Sequence, residues 1–363
     1  RGSAGVLDFV EFYNPGSVPV DIGGWWLSDD RDSPYGYMLQ AGTVVPALGY
    51  LVLDESQYGA DFGFSAEADG CYLFSGDSDG NLTGYSHGFE FAAGEPDVTF
   101  GRFLASDGSE GFPPQLSGTP GAANSGPRVS PLIISEILYR PASPQAEYIE
   151  LHNTANSPLN LWDPNNPTST WAIGTDRDVF TPFPPDITVP AGGYLLVVAG
   201  DPAVVRAIYS VPEDVPIIRI PNAFDHLPGT TDLFLFRPDG LSGAGTRYVT
   251  AEFIRFGMSA PWPAGADAKG HSLERINPAS FPNDPLNWRE SPSIRTPGRA
   301  NSSDLPPLVS AGGDQTLFTG YEGTLRGAVA DDRWSGSSPT FTWMQISGPG
   351  DAEFSAATLE SVN

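Results

Sequence analysis

One seven-residue pattern occurs twice and constrains the fold more than any other feature of the chain. It reads Asp8-Phe-Val-Glu-Phe-Tyr-Asn14 near the start and Glu147-Tyr-Ile-Glu-Leu-His-Asn153 further on. In each copy Val10 and Phe12, or Ile149 and Leu151, fall on one face. Glu11 between Phe9 and Tyr13, or Glu150 between Tyr148 and His152, falls on the other. Period-2 alternation in aromatic and β-branched residues, ending at an asparagine, predicts a half-buried strand that runs into a turn. The glutamate at its centre is the residue to explain.

The segments downstream of the two copies also correspond, in the same order. Val20-Asp-Ile22 is answered by Leu159-Asn-Leu161, Val45-Pro-Ala-Leu-Gly-Tyr-Leu-Val52 by Val189-Pro-Ala-Gly-Gly-Tyr-Leu-Leu196, and Asp79-Gly80 by Asp239-Gly240. Phe100-Gly-Arg-Phe103 is answered by Leu273-Glu-Arg-Ile276, and Gly118-Thr-Pro-Gly-Ala-Ala-Asn124 by Arg295-Thr-Pro-Gly-Arg-Ala-Asn301. Strand order kept while loops lengthen is the signature of duplication. Strands are also expected at Cys71–Phe74, Gly88–Phe91, Val98–Arg102 and Leu132–Tyr139, the last having no counterpart ahead of Asp8. Asp201-Pro202 announces a helix to Tyr209, with Asp201 as its N-cap. The linkers Ser125–Pro131 and Ser302–Pro307 place module boundaries at 1–125, 126–303 and 304–363. In the last segment a strand at Phe341–Ile346 is expected to carry Trp343 into a core.

Composition supports short strands over helices. The 42 glycines and 36 prolines make up about a fifth of the chain, high for a folded protein yet short of low complexity. The predicted class is all-β, with short helices only. The chain carries a net charge of −26, and residues 1–125 set three arginines against eighteen acids. Such a surface repels phosphate backbones and anionic membranes, so a nucleic-acid partner is not expected. Acidic and nearly free of lysine, it suits an extracellular medium. Cys71 is alone, which leaves no disulfide framework and reads as a small buried hydrophobe. The longest apolar run, Tyr194–Ala199, cannot span a bilayer.

At these residues the chain resembles lamin-tail domains in tandem, followed by the first part of a PKD-type immunoglobulin-like domain. The likeness is carried by Ile134-Ser-Glu-Ile137, Glu147–Asn153, Leu159-Asn-Leu161, Val189–Tyr194, Ser272-Leu-Glu-Arg275 and Thr296–Asn301 in the second copy. In the first it is carried by Phe9–Asn14, Ile22–Leu27 and Thr119–Asn124. The PKD likeness rests on Ala311-Gly-Gly-Asp-Gln315 and the stretch from Trp343 through Gly348-Pro349. The resemblance implies immunoglobulin-like β-sandwiches without catalytic residues, serving as binding or anchoring parts of a large bacterial secreted protein. It also implies that the first copy lacks its opening strand.

Sharper chemistry is weighed against this. Gly76-Asp-Ser78-Asp-Gly80 fits the hydrolase string G-x-S-x-G, but a turn rather than a helix comes after it, and Asp-Gly favours a hairpin. Asp77, Asp79 and Asn81 offer oxygens to a calcium ion without the spacing of a helix–loop–helix calcium loop; Asp29-Asp30-Arg31-Asp32 is a second such cluster. His87, His152, His226 and His271 are scattered. Trp25-Trp26 suits either core packing or sugar stacking. Because their partners recur in register, Glu11 is expected to pair with Arg102 and Glu150 with Arg275. No cofactor is called for, with calcium as the single candidate. The functional expectation is a non-catalytic extracellular segment for adhesion, targeting or spacing, with a protein or cell-surface glycan as partner. The alternatives are an accessory segment of a secreted hydrolase, nuclease or kinase-like spore-coat protein, and a carbohydrate-binding module.

Overall fold

The computed structural model describes the chain apart from residues 1–6, 59–61, 66, 142–145, 221–226, 228–230, 244, 267–269, 293–294, 304, 317–322, 333–339, 349, 355–360 and 363. His226, Asp304 of the second linker and Pro349 therefore lie outside the described residues. Strands dominate, and the chain is all-β. Among the described residues the α-helices are Glu55–Tyr58 and Pro202–Tyr209. The second begins as its sequence dictates: the Asp201 carboxylate caps it by accepting from the Ala203 amide at 2.8 Å. No described helix is long and apolar enough to cross a membrane.

The chain divides into two compact units. The first comprises Arg1–Phe103, Gly111–Arg128 and Tyr248–Thr250; the second comprises Leu104–Glu110, Val129–Arg247 and Ala251–Asn363.

In the first unit, Phe9–Tyr13 pairs antiparallel with Tyr50–Asp54 in a register that sets Glu11 opposite Val52. A second sheet runs in the order Tyr37–Met38, Trp26–Ser28, Ala68–Gly76, Leu82–Ala92. The core between them holds Val10, Ile22, Leu27, Leu39, Val45, Leu53, Tyr58 and Phe62, with Trp25, Cys71 and Leu73 packed against it. The alternation of Val10 and Phe12 with Glu11 thus points the apolar side inward, as expected.

In the second unit the Glu150 strand, Tyr148–Asn153, is central in a six-stranded sheet. The order is Ile217–Arg219, Tyr194–Val198, Tyr148–Asn153, Leu132–Leu138, Leu273–Arg275, Trp288–Glu290. A four-stranded sheet of Phe180–Pro182, Ala172–Gly174, Thr231–Ser242 and Gly245–Phe256 supplies the other layer. Ile134, Ile149, Leu151 and Val197 meet Trp171, Ile173, Leu235 and Phe256 in one core. The outer face of the six-stranded sheet is covered as well, since Leu138, Tyr148, Leu196 and Val198 pack under Val205 of the helix and under Val211 and Val215. A sheet buried on both faces forces any polar residue in its middle strands to find partners within the protein.

Two sequence expectations are corrected. Val98–Arg102 forms no strand; Phe100 makes a single bridge to Pro114. Asp239-Gly240 differs from its counterpart Asp79-Gly80: the Thr231–Ser242 strand runs through it and Asp239 pairs with Arg247 of the returning strand. Phe341–Ile346 is not a strand, Trp343 is half-buried, and Ile346 is 93% exposed. Gly327 explains the tryptophan's position: the Phe341 and Trp343 rings lie 3.1 and 3.2 Å from where a side chain would begin there, packed on backbone instead of in a sheet. The pairs formed nearby are Leu308–Ser310 with Ala328–Ala330 and Leu325–Arg326 with Ser361–Val362.

Candidate functional site

The site is built on strand register. Glu150 lies opposite Glu136, Glu136 opposite Glu274, and Glu274 opposite Arg289, so one cross-strand row carries three carboxylates and a guanidinium. All three acids are buried, Glu136 and Glu150 completely. A shift of register between Ile134 and Glu136 brings Glu136 onto the row. Like charges directly opposite one another are unfavourable on a sheet, so this row needs either donors or protons.

It has donors. Glu150 accepts from Ser135 Oγ at 2.6 Å and from the Gly298 amide at 2.6 Å. Glu136 accepts from the Tyr148 hydroxyl at 2.7 Å, from the Ser272 hydroxyl, and more distantly from Thr296 at 3.4 Å. Glu274 accepts from the Ser302 amide and hydroxyl, both at 3.2 Å, and from Thr296 at 3.4 Å. Asn301 donates its amide to the carbonyls of Ser135 and Arg275, each at 2.9 Å. The closing motif, Thr296 to Ser302, is thereby fastened across the row. Gly298 sits at φ +78°, and a side chain there would begin 3.0 Å from Pro212 and Val215, so glycine is required both for conformation and for space.

Burial also raises the row's affinity for protons. Burial, with Glu136 as neighbour, pushes the Glu150 carboxyl far above the ordinary range. Burial foremost, opposed by the Ser272 and Tyr148 hydroxyls, puts the Glu136 carboxyl at about 7. Burial raises Glu274 as well, while the Ser302 donors and Arg289 pull it back. Both acids are therefore held toward their protonated forms, and Glu136 is the one that gives up its proton near neutrality.

The first unit carries the same fastening in reduced form. Glu11 accepts from the Gly121 amide at 2.5 Å, and Gly121 stands at φ +81° in the matching Thr-Pro-Gly motif. Asn124 donates to the Arg102 carbonyl at 3.0 Å, as Asn301 does to Arg275. Asn14 holds the carbonyls of Val18, Val45 and Pro46, and Asn153 those of Ser157, Val189 and Pro190. Here Glu11 is half-buried, and burial raises its carboxyl against the lowering Gly121 bond.

The ion pairs expected from the sequence are not the ones formed. Arg275 joins Glu252 at 2.6 Å, with both side chains only 1% exposed. Neighbours on a strand point to opposite faces, so a row that holds Glu274 turns Arg275 away from Glu150. Arg275 also reaches the carbonyls of Ser280 at 2.7 Å and Pro278 at 3.2 Å. Glu11 takes the Gly121 amide rather than the exposed Arg102 guanidinium. Glu252, Glu136 and Ser135 are the residues sequence reading missed. Of these, Glu136 was within reach, since Ser-Glu-Ile alternates as Tyr-Ile-Glu does.

The other candidates lie apart from this row. Gly76–Gly80 turns between the strands Ala68–Gly76 and Leu82–Ala92. The Asp77 carboxylate is taken up by the Asn81 side-chain amide at 3.0 Å and the Asp79 and Asn81 backbone amides at 2.9 Å, which hold it below the ordinary carboxylate range. Asn81 accordingly presents its amide nitrogen to Asp77, and the exposed Asp79 offers its backbone. Among the described residues no group of three or more His, Cys, Asp or Glu side chains is arranged to hold a metal ion. Trp26 gives its indole N–H to Gly80 at 2.8 Å and meets Tyr35 edge-on at 5.1 Å, while Trp25 packs on the core. Burial pushes the Cys71 thiol up to about 12. His271 contacts the Ser291 carbonyl at 2.5 Å, and His87 is exposed. His152 stacks on Tyr194 at 4.5 Å, beside a cleft of about 520 Å³ that Thr154, Asn156, Gly192 and Pro278 also line.

A β-sandwich whose buried acids are occupied by its own amides, hydroxyls and an arginine is the class of protein these units define. Residues 1–88 match the family model of the Lamin Tail Domain, an immunoglobulin-like β-sandwich. Neither a curated protein nor a solved structure matches the chain.

Proposed function

We propose that this chain is a non-catalytic, extracellular run of lamin-tail-like modules, used for adhesion, targeting or spacing within a larger secreted or cell-surface protein. The two units are read as tandem copies, on the strength of the Asn14/Asn153, Asn124/Asn301 and Gly121/Gly298 contacts made in both. Residues 304–363 are read as PKD-like.

One observation carries the non-catalytic reading. The buried carboxylates, the groups best suited to acid–base work by their raised affinity for protons, have their oxygens occupied by the chain's own amides and hydroxyls. A general acid or base must instead face a substrate within hydrogen-bond reach. The extracellular reading rests on the net charge of −26 and the single lysine.

The test has two arms. Chromogenic esters, glycosides and phosphodiesters are offered to the chain and to its Glu136→Gln and Glu150→Gln variants. No turnover above buffer is expected; turnover lost in both variants contradicts the proposal. An antibody against the chain is then applied to intact and permeabilised source cells. Labelling of intact cells or of the medium is expected, and labelling that requires permeabilisation contradicts the extracellular assignment.

A further inference from the structure

The row of acids in the second unit is more than a fastening, because its three members cannot all be charged and dry at once. Glu136 stands between Glu150 on one side and Glu274 on the other. Glu274 has a compensating cation in Arg289, whose buried Nε and Nη2 have no hydrogen-bond partner among the described residues, so its negative charge is the one the row tolerates. Glu136 and Glu150 have hydroxyls and one amide, and these neutral donors cannot balance two charges.

Among the described residues the surroundings offer no second cation for that pair. Tyr148 and Tyr209 face it from the sheet and the helix, and Tyr194 lies beyond Glu150. Arg275 is committed to Glu252. Arg295 sits over the Tyr209 ring at 5.1 Å, and Arg299 donates to the Ser210 carbonyl at 2.9 Å. Water is then the remaining source of relief for an ionised Glu136, and something must move to admit it. The strands around the row are held by ladders. Residues 295–302 belong to no strand; they are held over the row by the acids' bonds to Gly298 and Ser302, by the Asn301 amide, by the Arg299 bond to the Ser210 carbonyl and by the packing of Gly298 against Pro212 and Val215.

We propose that the Glu136–Glu150–Glu274 row is a proton-loaded latch, which holds residues 296–302 on the sheet while Glu136 keeps its proton and lets that segment lift when Glu136 ionises. Linkage sets the sign. A carboxyl that binds its proton more tightly folded than unfolded stabilises the closed state fully below the ordinary glutamate value of 4.5, and that contribution is lost as pH rises through about 7. The segment is thus closed in mildly acidic surroundings and looser in alkaline ones. It leads directly into the linker Ser302–Pro307, so the latch governs the ordering of the last residues before that linker.

Hydrogen exchange read by mass spectrometry on the full chain tests this, at about pH 5.5 and about pH 8.5 with intrinsic rates corrected. Protection of 296–302, relative to the Tyr194–Val198 strand, should fall about tenfold or more, since each pH unit beyond the titration adds about tenfold. Glu136→Gln, a fixed neutral side chain, should keep the segment protected at both pH values; if it does not fold, Glu136→Met serves the same comparison. Equal protection at both pH values in the natural chain overturns the latch. So does a variant that folds and retains the full pH dependence.

Discussion

The two units use the same strand, the same glutamate and the same glycine amide, and yet they ask different things of them. In the first unit Glu11 is half-buried, lies opposite Val52 and holds Gly121, where a side chain would meet nothing within 4 Å. In the second, Glu150 is fully buried, lies between Leu196 and Glu136, and holds a glycine enclosed by Pro212 and Val215. The neighbourhoods differ: the strand Leu132–Leu138 brings a second acid, and the helix and the 211–215 loop bring a roof. A hydrogen bond of one geometry is a modest surface tie in one setting and a proton-linked core element in the other. The energetic weight of a contact comes from its burial, not from its distance.

The largest expected difference concerns the arginines that the sequence aligns. Arg275→Met strands Glu252 as a buried unpaired charge and should cost about 3–5 kcal/mol in the second unit. Arg102→Met, at an exposed position, should cost the first unit less than about 0.5 kcal/mol. Urea unfolding followed by hydrogen exchange, which reads each unit separately, makes the comparison; equal costs would break it.

The glycines come next. Gly298→Ala meets both a left-handed backbone and the Pro212–Val215 wall, and about 3 kcal/mol or more is expected. Gly121→Ala meets the backbone term alone, about 1 kcal/mol. The same urea experiment reads both.

Asn14→Ala and Asn153→Ala should instead behave alike, because each removes one amide from three carbonyls, at about 2 kcal/mol. Unequal losses would show that burial matters even where the contacts coincide.

The smallest effect is that of pH on the first unit. The Glu11 carboxyl is raised, so its contribution also fades as pH climbs above the ordinary glutamate range, but solvent reaches it and no second acid faces it across the described strand pair. Melting of the first unit between about pH 5 and pH 8 should move by less than that of the second.

Much of this was legible in the chain. The alternation of Val10, Phe12, Ile149 and Leu151 gave the inward face, Asp201-Pro202 gave the helix start, and Asp79-Gly80 gave a hairpin. These are local rules, and they hold where a residue's nearest neighbours decide its conformation. The partners of Glu150 were not legible, because they depend on register: a one-residue change of face separates Glu274 from Arg275, and no spacing in the sequence reports which of the two meets the row. The correspondence of Asp239-Gly240 to Asp79-Gly80 did not carry over its turn, since a strand that pairs beyond it runs through the second pair. Trp343 misled because an aromatic in an alternating stretch needs a partner strand as well as a pattern.

In both units the repeated glutamate works as a fastening for the closing glycine amide. A glycine N–H that donates to a carboxylate carries a strongly deshielded proton, so amide proton shifts in a TROSY spectrum of the full chain read the fastening itself. The Gly121 and Gly298 protons should both lie downfield. Glu11→Ala should move the first alone upfield, and Glu150→Ala the second alone. Two glycine signals that stay in place in both variants would show that the glutamates fasten nothing.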